Sequence, residues 1–244
     1  MLDLLLRFLQ HPLDYLPILQ TTNLSFIDFI KEDTDYYSFN FRANNLPNWK
    51  AGQHAIFTMP QQKITGQTWR VFSVASASYE DMIKIGTIIP EPHSDFKDHL
   101  LHLKSGVQIK MHGPFGEMYV RPYMKNIVAI AGGIGITPFR SIMADLTQKK
   151  SDTKFTLIFA ASENKYIYKS ELETWKQINP NLDIIYTDLP TETNAALDKI
   201  LSTDNSDKYF FISGSPGMIV AMRRELRSRR IATSQIFNDS FNGY

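Results

Sequence analysis

Hydrophobic and polar residues alternate in short runs along the first half of the chain, which is the pattern of half-buried β-strands. Aromatic and β-branched residues dominate these runs, and glycine, proline and asparagine separate them, as expected of turns. The predicted strands lie at residues 25–30, 36–41, 53–59, 69–75, 82–89 and 107–111. One helix is predicted at 95–103, with Ser94 as its N-cap. Six strands of this length predict a small antiparallel barrel.

After residue 126 the period of the pattern changes, and apolar strands alternate with amphipathic helical segments. Strands are predicted at 127–131, 154–160, 182–187, 208–213 and about 234–238, and helices at 138–148, 169–178, 193–201 and 216–229. Such alternation predicts right-handed crossovers and a parallel sheet with helices on both faces. The expected fold class is therefore α/β plus β. An N-terminal appendage at 1–21 precedes a six-stranded antiparallel barrel at 22–122 and a Rossmann-like domain with a five-stranded parallel sheet at 123–244.

The N-terminal residues 1–10 are apolar, but Asp3 and Arg7 interrupt them. They contain no basic region and no small-residue cleavage site, so a signal peptide is not expected. We interpret the segment as a short amphipathic helix packed on the body, with a contact to a membrane surface or a partner as the alternative. No apolar run reaches the roughly 18–20 residues of a membrane span, and a cytoplasmic location is expected.

The formal net charge of +1 provides no global field that would attract nucleic acid. The chain has no cysteine, which excludes disulfides, thiolate zinc sites, cysteine-ligated iron–sulfur clusters and a catalytic thiol within it. The spacing of the histidines does not suggest a metal site. Candidate chemistry must therefore come from other residues.

A strand, a glycine turn and a helix follow one another at residues 127–148. Gly132, Gly133 and Gly135 come directly after the apolar run, and Thr137 and Pro138 suit an N-cap and the first helical position. This arrangement presents backbone N–H groups and a helix N-terminus to a phosphate. A tight turn that needs glycine for steric reasons alone is the alternative interpretation.

The predicted barrel contains the sequence Arg70-Val71-Phe72-Ser73. Alternation along a strand places Arg70 and Phe72 on one face, and Val71 and Ser73 on the other. A cation beside an aromatic ring suits an anionic ligand with a flat ring. Arg70 would pair with a pyrophosphate, Phe72 would stack on the ring, and Ser73 would offer a hydrogen bond to the ring edge. A surface arginine beside a core phenylalanine is the alternative.

Two further loops follow strands of the predicted parallel sheet, and ligands of such sheets bind beyond the carboxyl ends of the strands. The sequence Ser213-Gly-Ser-Pro-Gly-Met218 forms one loop, in which Gly214 permits close backbone approach and Pro216 starts the next helix. The other loop, residues 162–166, lies where a Rossmann-like unit recognises the adenosine ribose. An acid there favours the 2′-OH of NAD and a cation favours the 2′-phosphate of NADP.

Both Glu163 and Lys165 are present in that second loop, so the choice of nucleotide stays open. Tyr166 or Tyr168 is a candidate for stacking on adenine, with ordinary packing as the alternative.

Five arginines lie between Arg223 and Arg230, with Glu225 among them. We interpret them as a solvated helix face. Docking of an acidic electron carrier is the alternative interpretation of this face.

Three segments of the sequence together resemble the ferredoxin–NADP(+) reductase family. The Arg70–Ser73 segment resembles the family's Arg-x-Tyr/Phe-Ser flavin motif. His93-Ser94, followed by the Gly-Pro-Phe-Gly turn at 113–116, resembles its second flavin segment. Residues 132–138 are similar to its Gly-Gly-x-Gly-x-Thr-Pro pyridine-nucleotide loop. The motifs occur in the family's order, and the resemblance covers about residues 22–244.

The resemblance implies a flavoprotein oxidoreductase that moves hydride from NAD(P)H to FAD and passes electrons to a separate acceptor. The residues implied to bind FAD are Arg70, Val71, Phe72, Ser73, Thr87, Ile88, His93, Ser94 and Phe241. Those implied to bind NAD(P)H are Gly132, Gly133, Gly135, Thr137, Pro138, Ser162, Lys165, Gly214 and Met218. Ser73, Ser213 and Asp239 are the catalytic candidates, although the family usually has cysteine where Ser213 stands. Phe241 would cover the flavin face, with Tyr244 as its competitor.

The acceptor that the resemblance favours is a separate protein, a ferredoxin or a flavodoxin. The alternatives are a reductase component of an oxygenase and a reductase of free flavin or ferric iron. A non-catalytic nucleotide-binding regulatory module is an alternative of another class, which the serine at position 213 favours.

Overall fold

The computed structural model describes residues 8–238 of the chain, which divides into two compact units, Met1–Tyr119 and Val120–Tyr244. Among the described residues, no helix has the length and apolar character needed to cross a membrane.

The first unit is built on antiparallel strands, as its alternating pattern predicts. Helix α1 (Pro12–Tyr15) and a 3₁₀ turn (Leu16–Leu19) precede its strands. The strands are β1 (Thr21–Lys31), β2 (Tyr36–Arg42), β3 (His54–Thr58), β4 (Trp69–Ser73), β5 (Ile83–Ile88) and β6 (Gln108–Phe115). Helix α2 (Asp95–Leu101) lies between β5 and β6 in the chain, and Ser94 is its N-cap, as predicted.

The six strands form one sheet in the order β4-β3-β6-β1-β2-β5. An antiparallel bridge between Val74 and Ile85 joins the chain after β4 to β5, so that the two edges of the sheet meet and the sheet curls into a barrel. Aromatic side chains fill the barrel core, among them Phe39, Phe41 and Phe57, each at most 1% exposed. Burial of these rings supplies the main apolar stabilisation of this unit.

The second unit is an α/β layer structure. Its strands are β7 (Asn126–Gly132), β8 (Lys154–Ala160), β9 (Leu182–Thr187), β10 (Lys208–Ser213) and β11 (Ile236–Asn238). The helices between them are α3 (Thr137–Gln148), α4 (Lys169–Ile178), α5 (Pro190–Leu201) and α6 (Pro216–Ser228). The strands are parallel and lie in the order β11-β10-β7-β8-β9. The fold class predicted from the sequence is therefore confirmed.

The strand order of this sheet reverses between β7 and β10. From β7 the chain moves outward through β8 to β9, and it then returns to the other side of β7 for β10 and β11. The loops after β7 and β10 therefore leave the sheet in divergent directions and open a crevice between them, which is the usual ligand position in such sheets.

The expectation that Thr137 is the N-cap of α3 was wrong. A 3₁₀ turn over Gly133–Ile136 runs directly into the helix, so Thr137 is already helical and Ile136 occupies the cap position. The Thr137 hydroxyl donates instead to the carbonyl oxygen of Ile134, at 2.6 Å. The tight turn continues into helical geometry without the extended residue that a side-chain cap requires.

Glycine is required where this 3₁₀ turn approaches the end of β10. A Cβ placed on Gly135 would overlap the carbonyl group of Ser213, and its distance to the backbone nitrogen of Gly214 would be only 2.6 Å. These neighbours are backbone atoms of a buried strand end, which cannot move aside as a flexible side chain can. The contact therefore holds the glycine turn against β10.

We predict that Gly135→Ala destabilises the protein by about 2–3 kcal/mol, because the added methyl group forces the turn away from β10. Gly217→Ala is the matched control, since a Cβ at Gly217 meets no atom within 4 Å. Urea unfolding followed by circular dichroism measures both variants. Equal unfolding midpoints for the two variants would contradict the close contact.

Candidate functional sites in the two units

In the first unit, β4 places Arg70 and Phe72 on the inner face of the barrel. Arg70 is 6% exposed and Phe72 is 9% exposed, whereas Val71 and Ser73 on the other face are partly exposed. One Arg70 nitrogen donates to the carbonyl oxygens of Gln67 and Trp69, each at 2.8 Å. These bonds orient the guanidinium group within the barrel.

Phe96 of α2 joins this pair of residues. The guanidinium carbon of Arg70 lies 5.2 Å from the centre of the Phe96 ring, and the Phe72 ring centre lies 6.4 Å from it. Phe72 also packs on Phe57, at 5.7 Å between ring centres. The predicted cation and aromatic ring are thus held together, with Phe72 embedded in the barrel core.

Lys97 is a candidate binding residue that the motif search misses. It is 7% exposed, and burial lowers the pKa of its ammonium group, which the neighbouring Arg70 lowers further. Two cations therefore share one buried region at the start of α2. A signal for Lys97 exists in the sequence, because Phe96, Lys97 and Leu100 fall on one helical stripe, at spacings of one and three residues.

Ser94 lies beside this region and its hydroxyl oxygen is buried. Within the described residues that oxygen has no hydrogen-bond partner, although Ser94 occupies the N-cap position of α2. A buried hydroxyl without a hydrogen-bond partner costs free energy. A ligand atom that accepted a hydrogen bond from it would remove this cost.

The other predicted flavin-binding residues flank the same segment. Thr87 is buried near the end of β5 and its hydroxyl donates to the carbonyl oxygen of Ile88, at 3.4 Å. His93 is held by two acids, with Nδ1 3.3 Å from Glu91 and Nε2 3.5 Å from Asp98. These residues therefore lie at the end of β5 and in the segment that connects β5 to the start of α2.

In the second unit, the crevice is lined by the glycine turn and by the loop after β10. Ser213 is 4% exposed and lies opposite Ala131 in the register of β10 and β7. A Cβ on Gly214 would lie 2.8 Å from the Met218 sulfur and 3.3 Å from the backbone of Gly132. Gly132, Gly214 and Met218 are thus in close contact with one another at the ends of β7 and β10.

Helix α6 starts at this crevice. Ser215 caps it, and its hydroxyl accepts a hydrogen bond from the backbone N–H of Met218, at 3.3 Å. The expectation that Pro216 is the first helical residue is confirmed. The serine that separates Gly214 from Pro216 is therefore used to terminate the loop and begin the helix.

The loop after β8 carries Ser162 and Lys165. It follows Ala160, which lies opposite Gly132 in the register of β8 and β7. The Lys165 ammonium group is 2.7 Å from the carboxylate of Glu163. Neither residue of this ion pair is oriented by a regular helix or strand.

The arginines on α6 and directly after it separate into two groups. Arg229 pairs with Asp198 and Glu225, at 2.6 and 2.9 Å. Arg224 and Arg227 are exposed and form no ion pair with another described residue. Together with Arg223, Ile219 and Val220 they line a groove of about 500 Å³.

Three predicted residues, Asp239, Phe241 and Tyr244, lie outside the described residues. The remaining predicted residues fall in two groups, one in the first unit around Arg70 and α2, and one in the second unit at the crevice and the loop after β8.

Comparison with known proteins bears on both groups. Residues 129–224 match the family described as the oxidoreductase NAD-binding domain. The reductase component 2 of terephthalate 1,2-dioxygenase from Comamonas sp is 24% identical over 204 residues, which are 79% of this chain and 59% of the relative. NADH-cytochrome b5 reductase 1 from Neosartorya fischeri is 28% identical over 229 residues, 82% of this chain and 72% of the relative. Several other relatives are matched over 51–59% of their length.

A solved structure, ferredoxin-NADP+ reductase from Plasmodium falciparum, shares the two-unit fold. Its TM-score is 0.73 at 17% identity, and the match covers 91% of this chain and 96% of that chain. The barrel, the parallel sheet with its glycine turn and the matched NAD-binding domain agree with one another. The chain therefore has the two-unit fold of a ferredoxin-NADP+ reductase, and its second unit contains an oxidoreductase NAD-binding domain.

Proposed function

We propose that this chain is a flavin-dependent NAD(P)H oxidoreductase that binds FAD on its first unit and NAD(P)H on its second. In this proposal it delivers electrons to a separate protein acceptor. The observation that carries the proposal is the pair of buried cations, Arg70 and Lys97, at the start of α2 beside the buried hydroxyl of Ser94.

Burying two like charges near each other is unfavourable, because each loses hydration and repels the other. The lowered pKa of Lys97 has these two causes, in that order. A diphosphate would offset both costs, since its oxygens accept charge-assisted hydrogen bonds from guanidinium and ammonium groups. The residues of this unit therefore fit the pyrophosphate of a dinucleotide cofactor.

The same region offers contacts to the other parts of FAD. The buried Ser94 hydroxyl can donate a hydrogen bond to a phosphate oxygen. The backbone from Thr87 to Ser94 provides further donors. Ser73 would hydrogen-bond the ring edge, whereas the predicted stacking of Phe72 could use only the small part of its ring that the barrel core leaves exposed. Bound FAD supplies the redox chemistry, while the chain binds it, orients it and excludes water.

The crevice of the second unit suits the dinucleotide NAD(P)H. Gly132, Gly135 and Gly214 lie at its floor, where backbone segments and the Met218 side chain pack closely on one another. Backbone N–H groups at such a strand–turn–helix junction suit a pyrophosphate. Ser213 would hydrogen-bond near the nicotinamide, in the role that the family usually gives to cysteine. Ser162 and Lys165 lie on the adenosine side, after the neighbouring strand.

The acceptor that we favour is a small acidic electron carrier, a ferredoxin or a flavodoxin. The exposed Arg224 and Arg227 support this choice, because they can steer an acidic protein to α6. The similarity to a terephthalate dioxygenase reductase component supports a second candidate, a protein partner within an oxygenase system.

The proposal predicts that the purified protein carries FAD and that NADH or NADPH bleaches its visible absorbance without oxygen. An anaerobic titration with each nucleotide, followed by a screen of acceptor proteins, tests both points. A colourless protein that takes up no added FAD would overturn the proposal. FAD-loaded protein that neither nucleotide bleaches would instead indicate a nucleotide-binding regulatory module.

The buried cations predict how variants retain FAD. Arg70→Ala and Lys97→Met should each weaken FAD binding by roughly tenfold or more, because each removes a charge-assisted contact. Lys97→Met should leave the FAD-free protein at least as stable as the original, since it removes a buried charge. Reconstitution with FAD and thermal unfolding measure the two effects.

Lys104→Met and Arg227→Ala are the controls, because both side chains are exposed. Both should bind FAD as the unchanged protein does. If Arg227→Ala loses as much FAD as Arg70→Ala, the pyrophosphate has been assigned to the wrong place.

A further inference from the structure

The loop after β8 carries two charged groups, Glu163 and Lys165, that bear on the choice between the two nicotinamide nucleotides. It begins next to the glycine turn, because Ala160 lies opposite Gly132 in the sheet register. In α/β sheets of this type, the residue after the second strand meets the adenosine ribose. NADPH carries a dianionic phosphate on that ribose, whereas NADH carries a neutral hydroxyl. The charge of this loop therefore bears on nucleotide choice.

The backbone of the loop presents Glu163 outward. Ser162–Asn164 form a 3₁₀ turn, in which Glu163 and Asn164 have left-handed φ values of 57° and 55°. Non-glycine residues adopt this conformation infrequently, so the turn gives the Glu163 side chain a particular direction. The Glu163 side chain is 73% exposed at the carboxyl edge of the sheet.

Lys165, the residue that would attract a ribose phosphate, is engaged by this acid. Its ammonium nitrogen lies 2.7 Å from a Glu163 carboxylate oxygen, and its side chain is 32% exposed. A 2′-phosphate would have to compete with Glu163 for Lys165 and would also meet the negative charge of Glu163. A free 2′-OH faces neither penalty, because it can donate to the carboxylate.

Further carboxylates surround the neighbouring Tyr166. Burial raises the pKa of the Tyr166 hydroxyl, and the negative charges of Asp188 and Glu192 raise it further. Lys169 is the opposing cation, and its ammonium group lies 5.4 Å from the centre of the Tyr166 ring and 4.8 Å from that of Tyr186. Three acids and two lysines thus lie in this loop or around Tyr166, so this part of the unit has no excess of positive charge.

We propose that Glu163 makes this chain selective for NADH over NADPH, by accepting the ribose 2′-OH and by occupying Lys165. This inference rests on the proposed nucleotide-binding function of the second unit. It assigns the discrimination to one exposed carboxylate and to its ion pair with Lys165.

Calorimetric titration of the purified protein with NAD+ and with NADP+ tests the inference directly, because it measures binding and not turnover. We expect NAD+ to bind about tenfold more tightly than NADP+, the effect of one unfavourable charge contact at a partly exposed position. Glu163→Gln should reduce this ratio to about twofold or less, chiefly by strengthening NADP+ binding. Glu163→Asp, which keeps the charge, should preserve most of the preference.

Asp183→Asn is the matched control. Asp183 forms a similar ion pair with Lys176, at 2.9 Å, but lies at the amino end of β9, away from the ligand edge. The Asp183→Asn substitution should leave the affinities for NAD+ and NADP+ unchanged. Equal binding of the two nucleotides, tighter binding of NADP+, or an unchanged ratio in Glu163→Gln would overturn the inference and leave the proposed function standing. Binding of neither nucleotide would overturn the proposed function itself.

Discussion

The contact between the glycine turn and the end of β10 determines the ligand edge of the second unit. Two backbone segments meet there without a side chain between them, since a Cβ on Gly135 would overlap the Ser213 carbonyl group. In the proposed function, peptide groups of the crevice floor at this contact, beside the Met218 side chain, would bind a phosphate by N–H donors and close approach. Such a floor treats NADH and NADPH alike, because both carry the same pyrophosphate. In our proposal, discrimination therefore comes from side chains beyond the floor, in the loop after β8.

The first unit uses a different physical solution for the same chemical group. Its candidate diphosphate contacts are charged side chains that are more than nine-tenths buried, Arg70 and Lys97. Charges in a low-dielectric site bind a counter-charge strongly, and they leave an unfavourable arrangement behind when it departs. A backbone crevice with an exposed ion pair binds more weakly. The contrast suits a cofactor that stays bound on the first unit and a nucleotide that exchanges on the second.

Much of the fold follows from the sequence because local patterns and packing agree. The strands of both sheets lie close to their predicted positions, since alternation in the barrel and apolar runs in the parallel sheet reflect burial directly. The glycines of residues 132–135 are also interpretable, because strand, turn and helix succeed one another without interruption. The start of α3 was not predictable from cap preferences, because a 3₁₀ turn displaced Thr137 from the cap position.

The candidate sites were harder to predict where tertiary contacts decide. Lys97 shares a helical stripe with Phe96 and Leu100, but only the placement of α2 against β4 brings it beside Arg70. The presence of both Glu163 and Lys165 left nucleotide choice open in the sequence. Their pairing depends on the left-handed turn at Glu163, which residue type does not indicate.

The environment of each cation, more than the total charge, determines what it can do. The formal net charge of +1 conceals three arrangements of positive groups. Arg70 and Lys97 are buried, so an anion that reaches them is held strongly. Lys165 is paired, so its attraction for a phosphate is reduced before any ligand arrives. Arg224 and Arg227 are exposed, so they act over a Debye length of about 8 Å at physiological salt and influence encounter more than affinity. A chain with almost no net charge can in this way hold a pyrophosphate, disfavour a ribose phosphate and attract an acidic protein.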